Sequence, residues 1–323
     1  MKAVVVVEKP EGNTLAVQTV ADPMPGPNDL LIAVKAVGLN RADLARRPMH
    51  FANAGPFIPG LETTGEVIGM GANVKGFAKG DRVTAMAGST YAERSVADHR
   101  LALKVPASMN WAEAASIPVW YLTAHDAIVV NGAMQKGEAV LIQAAAAGVG
   151  IAGVQIAKAL GAGMVLGTSS SDAKLVRLKT VGVDVGINTK TQNFAKVARE
   201  ATKDKGVDVI MDNVGASVLA GNLEAAAVKA RIVDVGRLGG KEAPIDLDLL
   251  ALKRIKLIGV TFRSRSIEEK IELNRRAMAD LWPLLESGKM KPIVDRTFAF
   301  DAALEAQTYM QSNAHFGKIV LLV

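Results

Sequence analysis

The chain has 323 residues, half of them hydrophobic, and its 38 Lys and Arg outnumber 32 Asp and Glu for a formal charge of +6. That length suits two domains with a sizeable buried core. It contains no cysteine, which excludes disulfides, thiolate nucleophiles and cysteine-ligated zinc.

No apolar run reaches the ~20 residues of a membrane helix. The start, Met1-Lys2-Ala3-Val4, enters a strand-like stretch rather than a cleavable signal, so a cytoplasmic location is expected. Basic residues are scattered among acids. The densest spots, Lys253-Arg254-Ile255-Lys256 and Arg263-Ser264-Arg265, lack interleaved aromatics and read as solvated faces. Neither a nucleic-acid nor a membrane partner is expected, only a small-molecule substrate. His50, His99, His125 and His315 stand alone, without metal-ligand spacing, and are expected to be structural.

In chain order, the first third is rich in Gly and Pro, with short strand-like runs at 2–7, 29–37 and 64–70. This predicts a compact, mostly-β domain. From about residue 122 apolar strand candidates alternate with helical stretches: 139–143, 164–168, 183–188, 207–212, 231–235 and 256–260. Six such runs predict an α/β fold with a doubly wound parallel sheet. An amphipathic helix at 267–285, a second near 301–311 and a closing strand at 318–323 complete the chain.

Between the first of those strands and its helix lies Ala145-Ala146-Ala147-Gly148-Val149-Gly150. A strand-to-helix turn leaves backbone N–H groups unpaired at the positive end of the helix dipole, where a pyrophosphate can sit. Two of the three usual glycines are alanines here, so the motif alone also fits a tight core turn. Its place at the head of six alternating strands favours a nucleotide. The helix that follows carries polar residues only at Gln155 and Lys158, on one narrow face, and is expected to be nearly buried.

About 20 residues on, an acid ending the second strand would accept from a free ribose 2'-hydroxyl. The chain instead has Gly167-Thr168-Ser169-Ser170-Ser171-Asp172-Ala173-Lys174. Small hydroxyls with a lysine one turn later suit a 2'-phosphate, so NADPH is expected over NADH. Ser169 and Ser170 also fit a helix cap, with Asp172 part of it.

At this point the sequence resembles the medium-chain dehydrogenase/reductase superfamily, in its zinc-free quinone oxidoreductase branch. The landmarks are "AVGLNRADL" (36–44), "IPGLETTGEV" (58–67), "KGDRV" (79–83), "YAE" (91–93), "YLTAHDAI" (121–128), "AAAAGVG" (144–150), "GVDVIMDNVG" (206–215) and "HFGKIVLLV" (315–323), in that order. The resemblance implies a GroES-like catalytic domain from residues 1–121 and 261–323 and a Rossmann domain from 122–260, with cofactor and substrate in the cleft between them. Alcohol dehydrogenases of the superfamily hold zinc in segments where this chain has Asn40, Leu61 and the neighbourhood of Val119. No metal site is expected.

Without a Lewis acid, an activated acceptor is the easier substrate. A quinone or α,β-unsaturated carbonyl spreads the charge of an arriving hydride over an oxygen that a few donors can stabilise. The protein then has to hold donor and acceptor within ~3 to 3.5 Å and exclude water. Ala147, Gly148, Val149 and Gly150 are expected at the pyrophosphate, and Ser169, Ser170 and Lys174 at the 2'-phosphate. The resemblance implies Asn40 near nicotinamide or substrate, Thr123 with Asn213 and Gly215 at the nicotinamide half, and Gly317 and Lys318 approaching the phosphates. Asn40 also fits a turn or cap. Tyr91 and Tyr121 are candidate donors to a developing oxyanion, though each also fits a structural role. Trp120 and Phe51 fit either a wall for a flat acceptor or core packing. Two other functions stay open: a zinc-free reductase of activated ketones or aldehydes, and a non-catalytic NADPH-binding protein. The run "RIKLIGVTF" (254–262) lies where relatives pair sheets across a dimer, so a homodimer is expected.

Overall fold

The computed structural model describes residues 1–10, 12–46 and 56–323. His50 and Phe51 lie outside the described residues. The chain divides into two units, Met1–Val119 with Lys291–Val323, and Trp120–Met290.

The first unit begins with the antiparallel pair β1 (Lys2–Val7) and β2 (Thr14–Thr19). It continues through β3 (Asp29–Gly38), α1 (Arg41–Arg46), β4 (Glu62–Met70), β5 (Arg82–Met86), β6 (Arg94–Asp98), β7 (Ala102–Lys104) and α2 (Trp111–Ala114). β3 buries Leu30, Ile32, Val34 and Ala36, every second residue, because successive strand side chains point to opposite faces. Leu30 and Ile32 join Val67, Val83, Ala85 and Ala97 in one cluster.

The chain leaves this unit within α3 (Pro118–His125) and enters a run of β8 (Ala139–Ile142), α4 (Gly148–Ala159), β9 (Met164–Ser169), α5 (Asp172–Val181), β10 (Val185–Asn188), α6 (Phe194–Ala201), β11 (Val207–Asp212), α7 (Leu219–Ala225), β12 (Ala226–Asp234), α8 (Leu247–Leu252), β13 (Lys256–Gly259) and α9 (Ile267–Glu286). Its six strands form one parallel sheet in the order β10-β9-β8-β11-β12-β13. Chain order reverses between β8 and β11, and the crevice outside the carboxyl ends at such a switch point is where ligands of open α/β sheets bind. β11 is buried along its whole length, as a central parallel strand should be. In α4 the six residues Ile151, Ala152, Gly153, Val154, Ile156 and Ala157 are buried, with Gln155 and Lys158 at the partly exposed margin. The first unit then resumes with β14 (Val294–Ala299), α10 (Ala303–Gln311) and β15 (Lys318–Leu322), and β15 pairs with β3.

Two boundaries differ from the expected ones. The second unit extends to Met290 rather than ending at 260. α9 buries Leu273, Ala277, Leu281 and Leu285 at four-residue spacing, its Asp280 meets His125 Nε2 at 2.7 Å, and Arg265 pairs with Asp126 at 2.8 Å. Those contacts tie the helix to the second unit. β12 starts at Ala226, not 231, directly after α7. The alanine-rich "EAAAVKA" (224–230) has strong helix propensity, so only tertiary pairing with β11 reveals where the helix ends.

Candidate functional site

In the second unit, β8 passes into the turn at Gln143 and Ala144, the latter at φ 50°, and α4 starts at Gly148 after Ala147. Ala147 has extended backbone and offers no side-chain cap. The N–H groups of Gly148, Val149 and Gly150 belong to the first helical turn and have no intrahelical acceptor. Ala147 is exposed and Val149 partly so. A Cβ on Gly150 would stand 2.6 Å from the Ala144 carbonyl oxygen, and one on Gly148 would overlap the Trp120 ring. Both glycines are therefore required by packing, while the amides they carry remain at the open end of the helix. This arrangement fits a pyrophosphate.

At the end of β9, Ser169 is buried and its Oγ accepts from the Ser171 amide at 3.3 Å, whereas Ser170 is exposed. Ser171, not Asp172, caps α5, accepting from the Lys174 amide at 3.4 Å. Asp172 instead accepts from Asn188 Nδ2 at 2.7 Å. Lys174 lies partly exposed on the first turn of α5. Beyond β11, Asn213 Nδ2 donates to the Gln143 carbonyl at 2.9 Å, and Gly215 adopts φ 91°. The 213–215 turn is thereby tied to the 144–150 turn. Thr123 is partly exposed on α3.

The first unit holds a buried polar centre. Lys318, fully buried at the start of β15, donates from Nζ to Glu62 Oε1 and to Asn40 Oδ1, the latter at 3.0 Å. Asn40 Nδ2 donates to the same Glu62 oxygen at 2.8 Å, and the Val119 amide takes Glu62 Oε2 at 2.9 Å. Asp43 closes the arrangement by accepting from the Asn40 amide at 2.8 Å and from the Tyr91 hydroxyl at 3.1 Å. Burial pushes the Asp43 carboxyl up to about 6, against the lowering pull of those two donors and of Lys318. Burial also depresses the Lys318 ammonium from its ordinary value, opposed by the Glu62 and Asp43 carboxylates. Gly38 has to be glycine here, because a Cβ would collide with Lys318, Glu62 and the Ala115 carbonyl.

Residues 26–122 match the alcohol dehydrogenase GroES-like domain and residues 148–277 the zinc-binding dehydrogenase domain. The chain is 29% identical over 301 residues to the quinone oxidoreductase-like protein 2 homolog of Nematostella vectensis, covering 92% of this chain and 82% of that one. It superposes on a crystal structure described as an NAD-dependent alcohol dehydrogenase with a TM-score of 0.89 at 30% identity, over all of both chains. A mycobacterial structure complexed with NADPH matches with a TM-score of 0.90 at 29% identity, again over all of both chains.

The chain belongs to the medium-chain dehydrogenase/reductase superfamily. It is an oxidoreductase of the quinone oxidoreductase branch, with a GroES-like domain and a Rossmann domain. Within that superfamily frame, several expected site residues have other occupations. Tyr121 is buried and donates its hydroxyl to Gln155 Oε1 on α4 at 2.7 Å, and Tyr91 commits its proton to Asp43. Both hydroxyl protons are engaged inside the protein, which supports a structural role for each tyrosine. Asn40 uses both ends of its amide on Lys318, Glu62 and the Gly38 carbonyl. Lys318 belongs to that same buried cluster. Gly317, at φ 118°, has no room for a Cβ beside Ile293. Trp120 packs its ring over Gly148.

At the superfamily's zinc-ligand segments, the side chains of Leu61 and Val119 hold no atom that can ligate a metal and Asn40 Oδ1 already accepts from Lys318 Nζ. These residues do not fit zinc. Sequence reasoning missed Glu62 and Asp43 as members of a centre, although both sit inside the quoted motifs "GLETT" and "NRADL". For Glu62, an acid at the head of a strand otherwise rich in Thr, Gly and apolar residues was the available signal.

Proposed function

We propose that this protein is an NADPH-dependent, zinc-independent reductase of quinones or α,β-unsaturated carbonyls. The observation that carries the cofactor reading is the end of β9. No acid terminates that strand, the nearest one, Asp172, is held by Asn188, and Ser170 and Lys174 stand at the surface. This suits a 2'-phosphate and disfavours nothing that carries one. The bound cofactor would supply the hydride; the protein's own part is to hold the pyrophosphate on the Gly148–Gly150 amides and to orient the acceptor. The donor-poor metal segments support an acceptor that needs no Lewis acid. A second reading, reduction of activated ketones or aldehydes, is favoured by the name of the 30%-identical alcohol dehydrogenase.

The test is initial-rate oxidation of NADPH and NADH against a panel of ortho- and para-quinones, enones and activated ketones, with product analysis separating C=C from C=O reduction. Quinone or enone turnover with NADPH preferred supports the reading. Lys174→Ala should raise KM for NADPH far more than for NADH; an equal effect removes Lys174 from the 2'-phosphate site. We also propose a homodimer formed through β13, which among the described residues pairs only with β12 and leaves Leu257 43% exposed on the sheet edge. A monomeric mass in solution contradicts it.

A further inference from the structure

Beneath the two turns assigned to the cofactor lie four buried polar side chains that no expected cofactor contact uses. Thr168 ends near the tip of β9, Gln143 follows β8, Asp212 ends β11 and Asn222 lies on α7, and none is more than 2% exposed. They form one chain. The Ala144 amide donates to Thr168 Oγ1 at 2.9 Å, and Thr168 donates to Gln143 Oε1 at 2.8 Å. Gln143 Nε2 donates to Asn222 Oδ1 at 2.7 Å, and Asn222 Nδ2 to Asp212 Oδ2 at 2.9 Å. The other Asp212 oxygen accepts from the Val214 and Gly215 amides at 2.7 and 2.9 Å.

Every bond points toward Asp212, and the polarity follows from its charge. An ionised carboxylate only accepts. Asn222 must therefore turn its NH2 to Asp212 and its oxygen to Gln143, so Gln143 must turn its NH2 to Asn222 and its oxygen to Thr168. Thr168 then has to donate, which leaves its lone pairs for the Ala144 amide at the entry to the 144–150 turn. Burial raises the Asp212 carboxyl to about 6, with Asp234 adding to the rise and the Gly215, Val214 and Asn222 donors opposing it. It is ionised at neutral pH.

We propose that Asp212 is a positioning residue whose charge, relayed through Asn222, Gln143 and Thr168, sets the conformation of the 144–150 turn while its direct bonds set the 213–215 turn. The inference rests on reading those turns as the cofactor site. β8 separates β9 from β11 in the sheet, so the relay, not direct contact, links Thr168 to Asp212.

Asp212→Asn puts an NH2 where Asn222 expects an acceptor. Asn222 and Gln143 must both reverse, and Thr168 loses the acceptor for its proton. Asp212→Asn combined with Asn222→Asp restores every donor–acceptor match, since the amide at 212 then donates to the carboxylate at 222, which still accepts from Gln143. The experiment is amide hydrogen exchange across 144–150 and 213–215, with the NADPH dissociation constant from fluorescence titration, on wild type, single variant and exchanged pair. The expected result is faster exchange across 144–150 and a dissociation constant raised about 3- to 30-fold in the single variant, with both restored in the pair. Exchange altered only at 213–215, or a folded pair that restores neither readout, overturns the relay. Should the pair not fold, Thr168→Val replaces it: a relay makes its effect on affinity and exchange less than multiplicative with Asp212→Asn, and a multiplicative result overturns the relay. If wild type binds neither NADPH nor NADH, the cofactor reading fails, and the exchange arm still decides the relay.

Discussion

The two units bury polar groups at their centres by different means. In the GroES-like unit a full ammonium, Lys318, stands between Glu62 and Asn40, and a second carboxylate, Asp43, lies one residue pair away with its Oδ1 unpartnered among the described residues. In the Rossmann unit neutral amides and a hydroxyl lead to a single carboxylate whose two oxygens are both satisfied. A charge-paired centre depends on the presence of each partner; a relay depends on the direction of each bond. The first therefore responds to deletion of a partner and the second to isosteric exchange of oxygen for nitrogen, while each holds a carboxyl that burial raises to about 6.

The largest effect should come from Lys318→Met. Leaving Glu62 buried without its cation should cost about 3–5 kcal/mol in urea unfolding, and adding Glu62→Gln should return much of it. A loss below about 1 kcal/mol would show that the centre is not held by charge and would erase the contrast. Asp43 sharpens it further. Its carboxyl titrates near 6 in the fold but near 3.9 unfolded, so the folded state holds the proton more tightly in between. The stability of wild type relative to Asp43→Asn should accordingly be highest below pH 4 and decline on the order of 3 kcal/mol as pH rises to 6. A difference that stays flat across that window, measured by denaturation at each pH, breaks the prediction.

A smaller effect is expected from Gly148→Ala, where the added methyl must displace the Trp120 ring. Overpacking should lower stability by about 1–3 kcal/mol and change the tryptophan fluorescence, with weaker dinucleotide binding. An unchanged emission spectrum would mean that the ring does not hold that place. The smallest is Tyr121→Phe, which deletes the bond to Gln155 and should cost about 1 kcal/mol of stability while leaving kcat as it was. A collapse of kcat at full stability would restore Tyr121 to the chemistry.

Much of the Rossmann unit was legible in the chain. Its strands are short apolar runs separated by helices with one polar edge, and the glycine turn between the first strand and α4 lies where that pattern places it. The boundary of β12 was hidden because "EAAAVKA" favours a helix locally. The extent of the unit was hidden because nothing in the spacing of α9 says against which sheet its apolar stripe packs. Among candidate residues, Gly148 and Gly150 lie in the first turn of α4, Ser170 follows β9 and Lys174 lies in the first turn of α5. What Tyr91, Tyr121, Asn40 and Lys318 bond to was not legible, because their partners lie far away in the chain.

By itself the sequence determined the kinds of element, their order, the lack of sulfur chemistry and the nucleotide-type turn, because periodicity and backbone requirements act over a few residues. Only the tertiary structure decided where each buried proton goes. Lys318 meets Asn40 across 278 positions and Gln143 meets Asn222 across 79. Hydrogen-bond direction and burial depend on groups that the chain brings together only when it folds.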